Sequence, residues 1–200
     1  MEGDIAQCFD SLDHTVLLNI LREKIHDNRF IRLIENLLKA GYLEEWRYNA
    51  TLSGSPQGAI LSPILANIYL DKLDKFVVEE LIPKYNRGKA RRPNPEWQRL
   101  QRLAQRLRKK GLLVKARIAR RLMQQVPSLD TQDPNYRRLR YVRYADDWLI
   151  GFSGPRQEAQ EVKHLIGNFL RENLKLELSE TKTLISHPRT EAARFLGYDI

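Results

Sequence analysis

Apolar positions recur along the 200-residue chain with two periods, near two in short runs and near three and a half in longer ones. The switches between them predict the elements. Asp4 to Asp10 reads as a short strand, with Ile5 and either Cys8 or Phe9 inward, followed by a turn. Val16, Leu17, Ile20 and Leu21 form the stripe of a helix that Ser11 or Asp13 can cap. Ile31, Ile34, Leu37 and Leu38 predict a second helix from about Asn28, stopped by Gly41. Gly41 to Gly54 predicts a hairpin or an irregular loop. Gly58 to Glu80 predicts a long helix, with Pro63 near its first turn or at a kink and Pro83 closing it.

Two amphipathic helices follow, one striped by Trp97, Leu100, Leu103 and Leu107, the other by Leu112, Ala116, Ala119 and Met123. From Leu139 to Phe152 the pattern is strand, tight turn, strand, with Ala145, Asp146 and Asp147 at the turn. Glu158 to Asn173 is helical again. Thr183–Ser186 and Arg194–Ile200 read as strands joined through His187, Pro188 and Arg189. The order predicts an α+β fold, an antiparallel sheet backed by helices.

Composition narrows the class. One cysteine, Cys8, and four scattered histidines leave no disulfide and no zinc cluster. The most apolar stretch, Ala59 to Leu70, is too short and too polar for a membrane span, and the first residues lack a signal-peptide pattern. A reduced, cytosolic compartment fits, with no membrane partner. Charge changes the picture more. From Lys84 to Arg143 there are 19 Lys and Arg against three acids, a charge of +16, while the rest of the chain carries −7. Such asymmetry points to a polyanion, most commonly nucleic acid. Arg99, Arg102, Arg106, Arg117, Arg120 and Arg121 fall mainly on the polar faces of the two amphipathic helices and are the candidate nucleic-acid contacts; a solvated helix pair is the plainer alternative.

Asp146 and Asp147 sit at a turn, where adjacent carboxylates can reach one edge; a regular strand would send them to opposite faces. Asp4 lies at the end of another strand. Converging carboxylates repel unless a cation lies between them, and hard oxygen ligands favour Mg²⁺ or Mn²⁺. An Asp pair is also ordinary turn chemistry.

Four strings carry more information together than separately: Asp4 to Asp10, Ser55 to Pro63, Tyr144–Ala145–Asp146–Asp147, and Phe195–Leu196–Gly197–Tyr198. Their residues and order resemble reverse transcriptases. The continuation through Leu65–Ala66–Asn67–Ile68–Tyr69–Leu70, and a basic helical insertion ahead of Tyr144, resemble the bacterial group II intron type, whose proteins are also maturases. The resemblance implies a polymerase palm with part of the fingers over residues 1–200, the basic insertion lying at 84–143. It implies RNA-directed DNA synthesis with two Mg²⁺ ions (Mn²⁺ possible), an intron RNA template, a DNA primer or target, and deoxynucleoside triphosphates, in a bacterial cytoplasm. Asp4 and Asp146 correspond to the carboxylates bridging the metals, Asp147 to the third acid, and the Ile5 carbonyl to a backbone ligand. Phe9 resembles the aromatic gate against a ribose 2′-hydroxyl. Gln57 and Gly58 match a nucleotide-contacting turn, and Lys182 the lysine near the leaving pyrophosphate. Leu196 and Gly197 match the hairpin that grips the primer end. The family has fingers before Asp4 and a thumb after Ile200, so the sequence reads as a portion of such a protein. A non-catalytic intron RNA-binding module, or the reverse transcriptase of a retron or diversity-generating element, are the competing readings.

Overall fold

The computed structural model describes residues 1–40, 42–44, 47–49, 61–187 and 190–200, with backbone alone for 42–44 and 47–49. Two compact units appear: Met1–Tyr85 with Leu139–Ile200, and Asn86–Arg138 between them in sequence.

The first unit is built on a three-stranded antiparallel sheet in the order β1-β5-β4: β1 (Glu2–Gly3), β4 (Arg138–Tyr144) and β5 (Asp147–Ser153). Glu2 pairs with Leu149 and Gly3 with Trp148. β1 is shorter than the pattern predicts. The strand expected over Asp4–Asp10 survives only as a single bridge from Ile5 to Leu178, after which Gln7, at φ +46°, turns the chain. Ile5 and Cys8 are both buried although three residues apart. A strand cannot bury two positions three apart on one face, and the turn at Gln7 removes the conflict.

Helices cover one face of the sheet. Asp13 caps α1 (His14–Arg22), its carboxylate accepting from the Val16 N–H at 2.9 Å. Asp27 caps α2 (Asn28–Lys39) in the same way. β2 (Tyr42–Glu44) and β3 (Arg47–Asn49) form a separate antiparallel pair within the segment expected to be a hairpin. α3 (Ser62–Lys75) has Pro63 in its first turn, where its missing N–H costs nothing. The helix does not stop before Pro83. It widens into a π-helical segment, Phe76–Leu81, and resumes as α4 (Ile82–Tyr85) with the proline inside it. A proline ring clashes with the carbonyl four residues back; widening the preceding turn accommodates it without ending the helix. α3 packs against α1 and α7 (Arg156–Leu174), and Phe76 stacks on Phe169 with ring centroids 4.2 Å apart. Trp148, Ile150, Tyr69, Leu70, Leu73, Val162 and Ile166 fill the core between helices and sheet.

The strand expected over Thr183–Ser186 is reduced to a bridge between Leu184 and Glu2. The C-terminal hairpin is β6 (Arg194–Phe195) and β7 (Tyr198–Asp199), turning at Leu196–Gly197. Ahead of it the His187 carbonyl accepts from the Thr190 and Glu191 N–H groups, while Pro188 and Arg189, expected in the connecting turn, lie outside the described residues. No described helix is long and apolar enough to cross a membrane.

In the second unit, α5 (Pro95–Lys109) and α6 (Leu113–Gln125) pack on one another. This unit is narrower than the 84–143 insertion read from charge: Lys84 lies within α4, and Arg140 and Arg143 belong to β4. Two of the insertion's three acids are structural. Asp133 is buried and accepts from the Arg92 and Asn135 N–H groups, which hold its carboxyl below the usual range. Asp130 accepts from the Gln132 N–H and pairs with Arg92 at 2.8 Å. The six candidate RNA-binding arginines, Arg99, Arg102, Arg106, Arg117, Arg120 and Arg121, are all exposed.

Candidate active site

Register places the first two acids. Glu2 faces Leu149 and Gly3 faces Trp148, so one further step along the antiparallel pair sets Asp4 against Asp147. Side chains alternate, and Trp148 and Ile150 enter the core, so Asp147 lies on the opposite face from them, as Asp4 does from Gly3 and Ile5. Gly3 permits this pairing. A Cβ there would stand 2.1 Å from the Trp148 ring. A tight turn at Ala145 and Asp146 joins β4 to β5, with Ala145 at φ +53°.

The backbone orients a further oxygen. The Ser179 N–H donates to the Asp4 carbonyl, and the Ala6 N–H to the Glu177 carbonyl, both at 2.9 Å. In that ladder Ile5 alternates the other way, so its carbonyl points to the flank where β5 lies.

Asp4, Asp147, Lys182, Leu196 and Gly197 line one cleft of about 380 Å³, together with Glu2, Thr181 and Arg194. The resemblance had drawn the first five from four separate stretches of sequence. Lys182 Nζ lies 2.7 Å from Asp4 Oδ2, and this contact, with the charges of Asp147 and Asp146 beyond it, raises the lysine's pKa. Asp147 is pushed above the ordinary carboxyl value by burial, then by Asp146 and Asp4, with Lys182 opposing. Cys8 sits just beneath. Burial first, then Asp146, pushes its thiol up to about 12, so it is an inert core group.

Three carboxylates share one nearby ammonium. The surplus negative charge and the all-oxygen donor set fit a hard divalent cation. Among the described residues, however, no three acidic, histidine or cysteine side chains close into a chelating group. Lys182 occupies one Asp4 oxygen, and Asp146 is at the turn without lining the cleft. Phe9 is also off the cleft, half-buried and packed against the core. Gln57 and Gly58 lie outside the described residues. Leu196 and Gly197, at φ +53° and +81°, form the tip of the β6–β7 hairpin. Both left-handed positions suit the two-residue turn that matches strand twist, at a cost for leucine that glycine does not bear.

Sequence reading missed the Gly3–Trp148 contact and the roles of Glu2 and Arg194. Glu2 accepts a hydrogen bond from the Arg194 N–H, tying the hairpin to β1. A glycine directly before the strand-end acid was the one available signal.

A carboxylate pair on adjacent strands, beside a lysine and a hairpin tip, is consistent with a polymerase palm. The chain belongs to the reverse transcriptase (RNA-dependent DNA polymerase) family, whose model matches residues 1–200. Among known proteins it is 44% identical over its full length to the group II intron-encoded protein LtrA of Lactococcus lactis subsp. cremoris, covering 34% of that protein. It is 37% identical, again over its full length, to the putative COX1/OXI3 intron 1 protein of Saccharomyces cerevisiae, covering 24% of it. It is 22% identical over 94% of its length to nuclear intron maturase 1, mitochondrial, of Arabidopsis thaliana, covering 31%. The chain thus spans about a third or less of these relatives.

Proposed function

We propose that the chain is the palm, with part of the fingers, of a group II intron-encoded reverse transcriptase and maturase working in a bacterial cytoplasm. The observation that carries this is the shared cleft of Asp4, Asp147, Lys182 and the Leu196–Gly197 hairpin. The reaction joins a primer 3′-oxygen to the α-phosphorus of a deoxynucleoside triphosphate. The bond to the bridging oxygen of the β-phosphate breaks, and pyrophosphate leaves. Two Mg²⁺ ions, or Mn²⁺, supply activation of the attacking oxygen and charge stabilisation of the leaving one. Asp4, Asp146, Asp147 and the Ile5 carbonyl would hold them.

Lys182 has a second task that its position suggests. Paired with Asp4, it neutralises the carboxylates when no cation is bound; displaced, its ammonium can turn to the departing pyrophosphate. Phe9 screens the sugar 2′ position, Gln57 and Gly58 approach the nucleotide, and Leu196 and Gly197 support the primer end. In the basic unit, Arg87 to Arg138 carries 16 Lys and Arg against three acids, two of them committed to structure. Its exposed arginines bind RNA phosphates, with the intron RNA as template and splicing partner.

The test is Asp146→Asn in the intact protein. Primer extension should fall by orders of magnitude with RNA affinity nearly unchanged. Extension at the unsubstituted rate would remove the catalytic reading and leave an RNA-binding module.

A further inference from the structure

One side chain ties the β4–β5 turn to the helix behind it. Arg143, in the last turn-ward part of β4, has a side chain only 9% exposed. Its Nε donates to Asp74 Oδ1 at 2.8 Å and its Nη2 to Asp74 Oδ2 at 2.6 Å, a two-pronged ion pair. Its Nη1 donates to Asn67 Oδ1 at 3.0 Å and to the Ala145 carbonyl at 2.7 Å. Asn67 and Asp74 are seven residues apart on α3, so they share a helix face. The Tyr141 hydroxyl donates to Asp74 Oδ1 at 2.8 Å from the same face of β4 as Arg143. Asn67 is itself oriented, its Nδ2 donating to the Pro63 carbonyl at 2.9 Å.

The Ala145 carbonyl belongs to the peptide that leads into Asp146, and its direction sets where that residue begins. Ala145 stands at φ +53°, a conformation that a non-glycine residue keeps only where its surroundings impose it. The guanidinium is rigid and planar, so once Asp74 fixes two of its donors the position of the third is fixed too. A lysine ammonium at the same place has no such geometry.

We propose that Arg143 is a positioning residue for the catalytic turn. It carries the position of α3, through Asp74 and Asn67, to the Ala145 carbonyl and so to Asp146 and Asp147. The inference rests on reading those two acids as the reactive ones.

The experiment compares Arg143→Lys, Asn67→Ala, their combination and Asp146→Asn in the intact protein, measuring primer extension against Mg²⁺ concentration alongside thermal melting. Arg143→Lys keeps the charge and loses the fork. Its kcat should fall about 10- to 100-fold, as expected for a misplacement near 1 Å, with nucleotide KM unchanged. The Mg²⁺ concentration for half-maximal rate should rise several-fold. Asn67→Ala, an exposed change that leaves Asp74 in place, should shift the Mg²⁺ requirement the same way by less. The double variant should be no worse than Arg143→Lys alone, because both act through one guanidinium. A lowered melting temperature with unchanged kcat and Mg²⁺ dependence in the folded protein would overturn the proposal, and so would additive losses. If Arg143→Lys does not fold, Asn67→Ala decides: an unchanged Mg²⁺ requirement there overturns it. Asp146→Asn separates the two failures. Extension abolished there but normal in Arg143→Lys removes only the positioning role, whereas extension retained in Asp146→Asn removes the reading beneath it.

Discussion

Gly3 is the point where the sheet leaves no space for a side chain. A Cβ built there lies 2.1, 2.3 and 2.6 Å from three atoms of the Trp148 indole, far inside van der Waals contact. Trp148 is 1% exposed. Gly3→Ala must therefore push the ring off its rotamer or β1 away from β5. Overpacking a tight site costs about 1–3 kcal/mol, and contacts this short belong at the upper end. Alanine returns about 0.4–1 kcal/mol by restricting the unfolded chain, so a net destabilisation of about 2 kcal/mol is expected. The Ile150 N–H, which donates to the Met1 carbonyl at 2.8 Å across the same strand pair, reports it. Its hydrogen-exchange protection should fall about 30-fold. Primer extension should fall with it, because Gly3 and Trp148 are register partners next to Asp4 and Asp147. The control is the same change in a Trp148→Leu background, where the clash is gone. There Gly3→Ala should be neutral, or stabilising by up to about 1 kcal/mol. An equal loss in both backgrounds would refute the steric argument.

Asp147, its pKa raised by burial and by Asp146 and Asp4, binds its proton more tightly in the folded state. The fold therefore gains stability as pH drops through the raised value toward the ordinary 3.8, and bears a penalty above it. Asp147→Asn should raise the melting temperature at pH 7, and the difference should vanish at pH values below the ordinary carboxyl range. Lys182→Ala removes the ammonium 2.7 Å from Asp4. Mn²⁺ binding to the nucleotide-free protein, followed by calorimetry, should tighten while nucleotide incorporation slows; weaker Mn²⁺ binding would contradict the competition. Phe9→Ala should raise ribonucleotide use relative to deoxynucleotide use in single-nucleotide extension, and unchanged discrimination would return Phe9 to the core it packs against. Replacing Arg99, Arg102 and Arg106 with glutamine should flatten the log–log salt dependence of RNA binding by about 2 to 3, with extension preserved at saturating template.

What the sequence made legible divides along the range of the forces involved. α1, α2, α5, α6 and α7 follow from local apolar stripes, and Asp13 caps α1 as a short-range side-chain contact can. Two readings broke where a single residue overrode the local pattern. Gln7 takes a left-handed φ and converts an expected strand into a turn. Pro83, a helix terminator by rule, is carried through by the π-helical widening ahead of it. At the site, the motifs named Asp4, Asp146, Asp147 and Lys182 one by one, but not how they meet. That depends on the β1–β5 register and on the ladder from Asp4 to Ser179, both long-range.

Arg143 shows why counting charge has a limit. By composition it is one of 19 cations in a basic segment. In the fold, Asp74 takes two of its donors from 69 residues away, and the side chain is nearly enclosed. The exposed arginines of α5 and α6 have no such enclosure, so their charge reaches solvent and any phosphate there. The same residue type thus serves two ends according to burial: long-range attraction where it is exposed, and directional restraint where it is enclosed. Salt distinguishes them. Screening weakens the exposed set across a Debye length of about 8 Å at physiological ionic strength, but acts far less on a part-buried pair in direct contact at 2.6 Å. Raising salt at saturating template should therefore leave kcat intact while RNA affinity falls. A kcat that fell in step with affinity would mean that the turn is held by solvent-screened charge, and the Arg143–Asp74 contact would have no part in it.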